Sequence, residues 1–265
     1  MIDDLLKKCR KMSHTSLEYV DEEDLEDISC FHESDTCSIY YREEGERIHV
    51  YWGTDSETEL IEGIKSLMDR NMGENLYIEF VPDSLVNSLK GIGFELYSEF
   101  ADFWNPELAE KTEKTDNSRN ILREAQAAEF HLLAEITQKC KGQSRGFDGE
   151  TVESIEEWLN TDKSTVLVAE HEGFVIGVAL VSLYGFNSVK GTVLWIRLLA
   201  VTPEYQRRGI GMKLLSFAMD WGVKSGAVRA FLHADIHNDN AIKLYREKGF
   251  EMNGETTQVN MMYKG

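Results

Sequence analysis

Six consecutive residues, Gln206-Arg207-Arg208-Gly209-Ile210-Gly211, have the types and order needed to hold an anion. The glycines let main chain approach a ligand closely, and a helix starting there leaves its first N–H groups without intrahelical partners. Those N–H groups and the helix dipole favour a group such as a pyrophosphate, and Arg207 and Arg208 add positive charge beside it. The elements that must position this turn are legible on both sides. Val193 to Val201 (V-L-W-I-R-L-L-A-V) is an apolar run of strand formers, ended by Thr202-Pro203. Ile210, Leu214, Phe217/Ala218 and Trp221 then recur at the spacing of one helix face. A plain strand-to-helix turn would account for the glycines alone, so the neighbouring segments decide the matter.

Ala227 to Ala234 (A-V-R-A-F-L-H-A) reads as a further strand, and Asn238 to Phe250 (N-D-N-A-I-K-L-Y-R-E-K-G-F) as a short helix closed by Gly249. L-A-V-T-P-E-Y-Q-R-R-G-I-G followed by N-D-N-A-I-K-L-Y-R-E-K-G-F resembles, in order and separation, the two cofactor motifs of the GNAT superfamily of acyl-CoA N-acyltransferases. The resemblance implies an α/β (α+β) fold: a mixed, mostly antiparallel twisted sheet flanked by helices, with two neighbouring strands splayed around the pantetheine arm of acetyl-CoA. It implies that Leu199, Ala200 and Val201 offer backbone groups to the pantetheine. Gln206, Arg207, Arg208, Gly209, Ile210, Gly211 and Met212 would cradle the pyrophosphate. Asn238 would bond the pantetheine or phosphate arm, with Ala241 beside it. Tyr245, four residues after Ala241 and so on the same helix face, matches the tyrosine that protonates the leaving thiolate. A core aromatic packing the helix on the sheet is the alternative reading of Tyr245.

Acyl transfer to an amine also needs a proton acceptor. Many GNAT relatives place a glutamate on the strand before the cofactor turn, where this chain has Trp195, Ile196, Arg197 and Leu198. His233, Asp235, Tyr184 or a water chain are the candidates that remain; His233 has a suitable intrinsic pKa, but a satisfied structural histidine is the favoured reading of it. Arg197, a charge in an apolar strand, either faces the acceptor cleft or pairs with an acid of the N-terminal half; the pairing is favoured because an unpaired buried Arg is costly. The function expected is acetyl transfer from acetyl-CoA to a primary amine of a small molecule or peptide by direct attack. A non-catalytic acyl-CoA sensor or partner-binding module is the alternative, and the missing carboxylate speaks for it.

The chain of 265 residues carries a net charge of −19. That charge argues against nucleic acid as a partner and favours a cationic acceptor. Cys9, Cys30, Cys37 and Cys140 have no metal-ligand spacing, so no metal is expected. Met1 leads straight into Asp3 and Asp4, with no apolar leader and no run long enough to span a membrane, which predicts a cytoplasmic protein, monomer or homodimer.

Strand, helix, strand, short helix, Gly-Phe, strand occurs twice along the chain, with Gly93-Phe94 corresponding to Gly249-Phe250. The pattern predicts two tandem GNAT-like domains: a reduced copy over 1–104, a polar linker over 105–118, and the transferase domain over 119–265. The first copy lacks the glycine turn and has Asp55, Glu57 and Glu59 where an anion would need donors. It is expected not to bind acyl-CoA. The acidic stretch Glu18 to Asp27 reads as a solvated segment, and Lys141 to Gly149, with three glycines, as a mobile loop; the GNAT resemblance implies that this region helps to shape the acceptor pocket.

Overall fold

A computed structural model of the chain describes residues 2–18, 20, 25, 27–45, 47–70, 74–108, 120–254 and 257–265. Its elements run α1 (Ile2–Cys9), β1 (His14–Thr15), β2 (Ser29–Glu33), β3 (Cys37–Glu44), β4 (Arg47–Thr54), α2 (Glu57–Arg70), β5 (Asn75–Val81), α3 (Asp83–Lys90) and β6 (Glu95–Asn105). They continue with β7 (Asn120–Glu124), α4 (Phe130–Lys139), α5 (Val152–Asn160), β8 (Ser164–His171), β9 (Phe174–Tyr184) and β10 (Val193–Val201). Last come α6 (Ile210–Lys224), β11 (Arg229–Asp235), α7 (Asp239–Glu247), β12 (Glu251–Met252) and β13 (Gln258–Tyr263).

The chain forms two compact units, Met1–Glu99 with Thr257–Gly265, and Phe100–Thr256. This division differs from the expected 1–104, 105–118 and 119–265 in the placing of two strands. β13 belongs to the first unit because it pairs antiparallel with β5, Met261 opposite Ile78 and Tyr263 opposite Leu76. Phe100 to Asn105 of β6 belong to the second, paired antiparallel with β11. Asn105, expected to open the linker, ends β6 and donates a side-chain hydrogen bond to the Lys248 carbonyl at 2.9 Å. Residues 109–118 of the expected linker lie outside the described residues.

In the first unit β2, β3 and β4 run antiparallel, and β4 then pairs parallel with β5. The β3–β4 hairpin turns at Gly45, whose φ of 61° is left-handed. Ile48, Val50 and Trp52 alternate toward α2 and α3, burying against Leu60, Ile64, Leu67, Leu85 and Leu89. The other face carries a charged cluster. His49 lies between Glu44 at 3.3 Å and Glu79 at 3.4 Å, stacks on Tyr51 with ring centroids 4.3 Å apart, and Tyr77 donates to Glu79 at 2.7 Å. Of the acidic stretch expected to be solvated, residues 19, 21–24 and 26 lie outside the described residues, while Leu25 is fully buried beside Leu6, Tyr40 and Tyr51.

The second unit likewise ends an antiparallel run with a parallel pair, with one strand more in the run. β7, β8, β9 and β10 are antiparallel neighbours, and β10 pairs parallel with β11. The β8–β9 hairpin turns at Glu172-Gly173, both at positive φ. One face of the sheet packs on α6 and α7 through Leu194, Ile196, Ala230, Leu232, Leu214 and Ile242. The other packs on α4 and α5 through Val166, Val168, Val178, Leu180, Leu133 and Ile155.

Candidate active site at the splayed strands

β10 changes faces in mid-strand. Leu194 and Ile196 bury toward α6, whereas Leu198 and Ala200 bury toward α4. Strict alternation would put all four on one side. The register against β9 slips between Ile196 and Leu198, so Arg197 is the extra residue of a β-bulge. The same bulge ends the pairing with β11, whose ladder stops at Ile196 opposite Leu232. Beyond that point β10 remains bonded to β9 as far as Val201, and β11 to β6 as far as Asp235. A wedge therefore opens between Arg197–Val201 and His233–Asp235.

The wedge holds a cleft of about 210 Å³ bordered by Leu199, Ala200, Val201, Gln206, Asn238, Ala241 and Tyr245 among others. Seven of the residues expected to meet the cofactor or its sulfur are thus gathered around one cavity. Asn238 starts α7, its side-chain oxygen accepting from the Ala241 N–H at 3.2 Å. Tyr245 is buried at 9% exposure near Phe103 and Phe250. Burial raises its phenol to about 12, so it stays protonated at neutral pH.

The expected anion turn lies at the start of α6, outside the cleft lining. Arg207 and Gly209 both adopt left-handed backbone, φ 58° and 77°, and Gly209 occupies the N-cap without a side chain to cap the helix. The first-turn amides of Ile210, Gly211 and Met212 therefore have no capping side chain. Ile210 is buried in the core and anchors the turn, while Arg207 and Arg208 are exposed. Gln206 acts locally: its amide donates to the Val201 carbonyl at 2.7 Å and to Gln143 at 2.6 Å. The Cys140 thiol donates to the same carbonyl at 3.3 Å. Of the backbone groups expected to face pantetheine, the Val201 carbonyl is accordingly already engaged by the protein. Burial raises the Cys140 thiol above its ordinary value, which favours the protonated form.

Two expectations about charged residues need correction. Asp235, a candidate proton acceptor, is locked in an ion pair. Its side chain is 1% exposed, takes the Arg145 guanidinium at 2.6 Å and accepts from the amides of Arg145 and His237. Burial pushes its carboxyl up, but these donors overcome that and hold it low. The same contacts pin the loop over 141–149, which is therefore tied at Arg145 to β11 and at Gln143 to Gln206. Arg197, expected to pair with the N-terminal half, pairs instead with Glu150 of its own unit at 3.1 Å, lies over the Trp158 ring and borders the cleft. Tyr184 ends β9, exposed, and is not among the residues lining the cleft.

Residues 130–250 match the acetyltransferase (GNAT) family. That stretch, which lies in the second unit, fits the GNAT superfamily. It is similar to the uncharacterized N-acetyltransferase YhfO of Bacillus subtilis, 36% identical over 95 residues, which make 35% of this chain and 62% of that protein. It is also similar to the spermidine N(1)-acetyltransferase of Escherichia coli, 36% identical over 56 residues, 21% of this chain and 30% of that one. The chain thus spans less than two thirds of the curated relatives it matches. Among solved structures, the GCN5-related N-acetyltransferase of Sphaerobacter thermophilus superposes with a TM-score of 0.60 at 14% identity, over 86% of this chain and 76% of that one. That of Kribbella flavida gives 0.55 at 13%, over 100% and 94%. At such identities these GNAT structures show the fold. Among the described residues no helix is long and apolar enough to cross a membrane, and no cluster of three or more His, Cys, Asp or Glu is arranged to hold a metal.

Proposed function

We propose that the protein is an acetyl-CoA-dependent N-acetyltransferase that acts on a primary amine of a small molecule or peptide by direct attack. The observation that carries this is the bulged, splayed β10–β11 pair with Tyr245 at the cleft and an uncapped helix start beside it. In this reading the amides of Gly209 to Met212 hold the pyrophosphate, and Arg207 and Arg208 add charge. Backbone of Leu199 and Ala200 and the Asn238 amide orient the pantetheine. Tyr245 donates its phenolic hydrogen to the sulfur as the thiolate leaves. With the Cys140 thiol protonated and hydrogen-bonded, the amine attacks the thioester without a cysteine relay.

The acceptor is cationic in this proposal. The net charge of −19 attracts cations, and a spermidine acetyltransferase is among the relatives. Titration calorimetry with coenzyme A, followed by coenzyme A release from acetyl-CoA with a panel of primary amines including spermidine, tests the reading. Binding together with amine-dependent release is expected. Binding without release on any amine would leave the acyl-CoA sensor in its place.

A further inference from the structure

Among the described residues that line the cleft, the one carboxylate is already committed. Asp235 is committed to Arg145, and Glu150 to Arg197. One group on the cleft wall keeps a nitrogen able to take a proton. His233, on β11, sits opposite Asp102 of β6 in the antiparallel register, and its Nε2 lies 2.9 Å from Asp102 Oδ1. The ring centroids of Phe100 and Phe231 lie 5.7 Å and 6.0 Å from that of the imidazole. His233 borders the same cleft as Tyr245 and Leu199.

We propose that His233, held in one tautomer by Asp102, accepts the proton of the acceptor amine during acetyl transfer. The proposal rests on the transferase reading. In this scheme the ring proton sits on Nε2, 2.9 Å from Asp102 Oδ1, which leaves Nδ1 with its lone pair. His233 takes one proton from the ammonium form of the acceptor. The amine nitrogen then bonds to the acetyl carbon while the carbon–sulfur bond breaks, its electron pair passing to sulfur. Tyr245 gives sulfur a proton, and the remaining amine proton leaves through water that restores Tyr245. The sum is ammonium plus acetyl-CoA giving amide, coenzyme A and one proton. His233 is the catalytic base in this scheme, and Asp102 a positioning residue.

The surrounding charges are compatible with a neutral imidazole. Burial lowers its pKa and the Asp102 carboxylate partly opposes that. Tyr245, Cys140, the Arg197–Glu150 pair and the Arg145–Asp235 pair are the other titratable or charged groups around the cleft, and Arg229 and Tyr184 lie toward Asp102.

The test uses the full chain with His233→Gln and Asp102→Asn, both at partly exposed sites. Nitrogen-15 NMR of the ligand-free protein is expected to show His233 protonated at Nε2, and a mixed tautomer in Asp102→Asn. With acetyl-CoA and the amine panel, His233→Gln is expected to lower kcat by about 100-fold or more, with coenzyme A affinity within about threefold. Asp102→Asn should shift the acid limb of kcat/KM to lower pH, because Asp102 raises the imidazole pKa. A His233→Gln turnover within about threefold of wild type, or an Nδ1–H tautomer unchanged by Asp102→Asn, overturns this proposal alone. Coenzyme A binding by the wild type with no amine acetylated overturns the transferase reading and this proposal with it.

Discussion

Tyr245 shows how one environment sets the role of a side chain. Its phenol, at about 12, is a donor at any working pH and never a base. In the proposed reaction an ordinary thiol near 8.5 is the stronger acid, so the phenol would act first as a hydrogen-bond donor and would pass its proton on only as charge builds on sulfur. Tyr245→Phe is expected to lower kcat about 10- to 100-fold with acetyl-CoA affinity within about threefold; a comparable loss in affinity would assign the ring to packing. His49 shows the opposite case. Burial opposes its charge, but Glu44 and Glu79 overcome this and raise its pKa, while Glu44, chiefly through His49, falls to about 2. The raised imidazole stabilises fully below its unfolded value, near 6.5, and loses that stabilisation as pH climbs through its folded value. The lowered Glu44 stabilises fully above its unfolded value, near 4.5, and loses it as pH falls toward 2. The cluster therefore contributes most between about pH 4.5 and 6.5. Denaturant titrations should show His49→Gln about 2 kcal/mol less stable at pH 6, with the deficit shrinking above neutrality. Tyr245 is legible from its place in a motif. The pairs Asp102–His233 and Arg145–Asp235 are not, because their members lie far apart in sequence and meet only through sheet register or a folded loop.

Among elements, the start of α6 and the start of α2 occupy equivalent places after a strand paired in parallel, yet they differ in chemistry. Gly209 leaves the α6 amides without a capping side chain. At α2, Ser56 accepts from the Glu59 N–H at 3.3 Å, and Glu57 and Glu59 fill the first turn. Asp55 accepts from Ser13, and Glu59 from Thr36. Calorimetry is accordingly expected to find one coenzyme A per chain, and two would refute the contrast. Gly209→Ala must hold an alanine at φ 77°, at a cost of about 1–2 kcal/mol. It should weaken coenzyme A binding, with a lower melting temperature as a second readout. The hairpins at Gly45 and Gly173 are readable because their turn residues need positive φ. The bulge at Arg197 is not, since V-L-W-I-R-L-L-A-V is apolar nearly throughout and carries no alternation in which a slip would show.

For the whole molecule, the net charge of −19 favours the approach of cations. Raising salt from about 0.05 M to 0.5 M shortens the screening length severalfold. The KM for a polyamine should then rise several-fold, and that for an uncharged amine should hardly move. The repeat of strand and helix order made two units legible. Their boundary was not, because sequence order suggests that each unit keeps its own strands, whereas β13 completes the first unit alongside β5. That placement bears on biosynthesis. As the ribosome extends the chain, Leu76 and Ile78 emerge early but wait for Tyr263 and Met261, so β5 faces solvent or a chaperone with an unmatched edge until translation has passed Thr257. A stall just short of that point would release a nascent polypeptide prone to self-association.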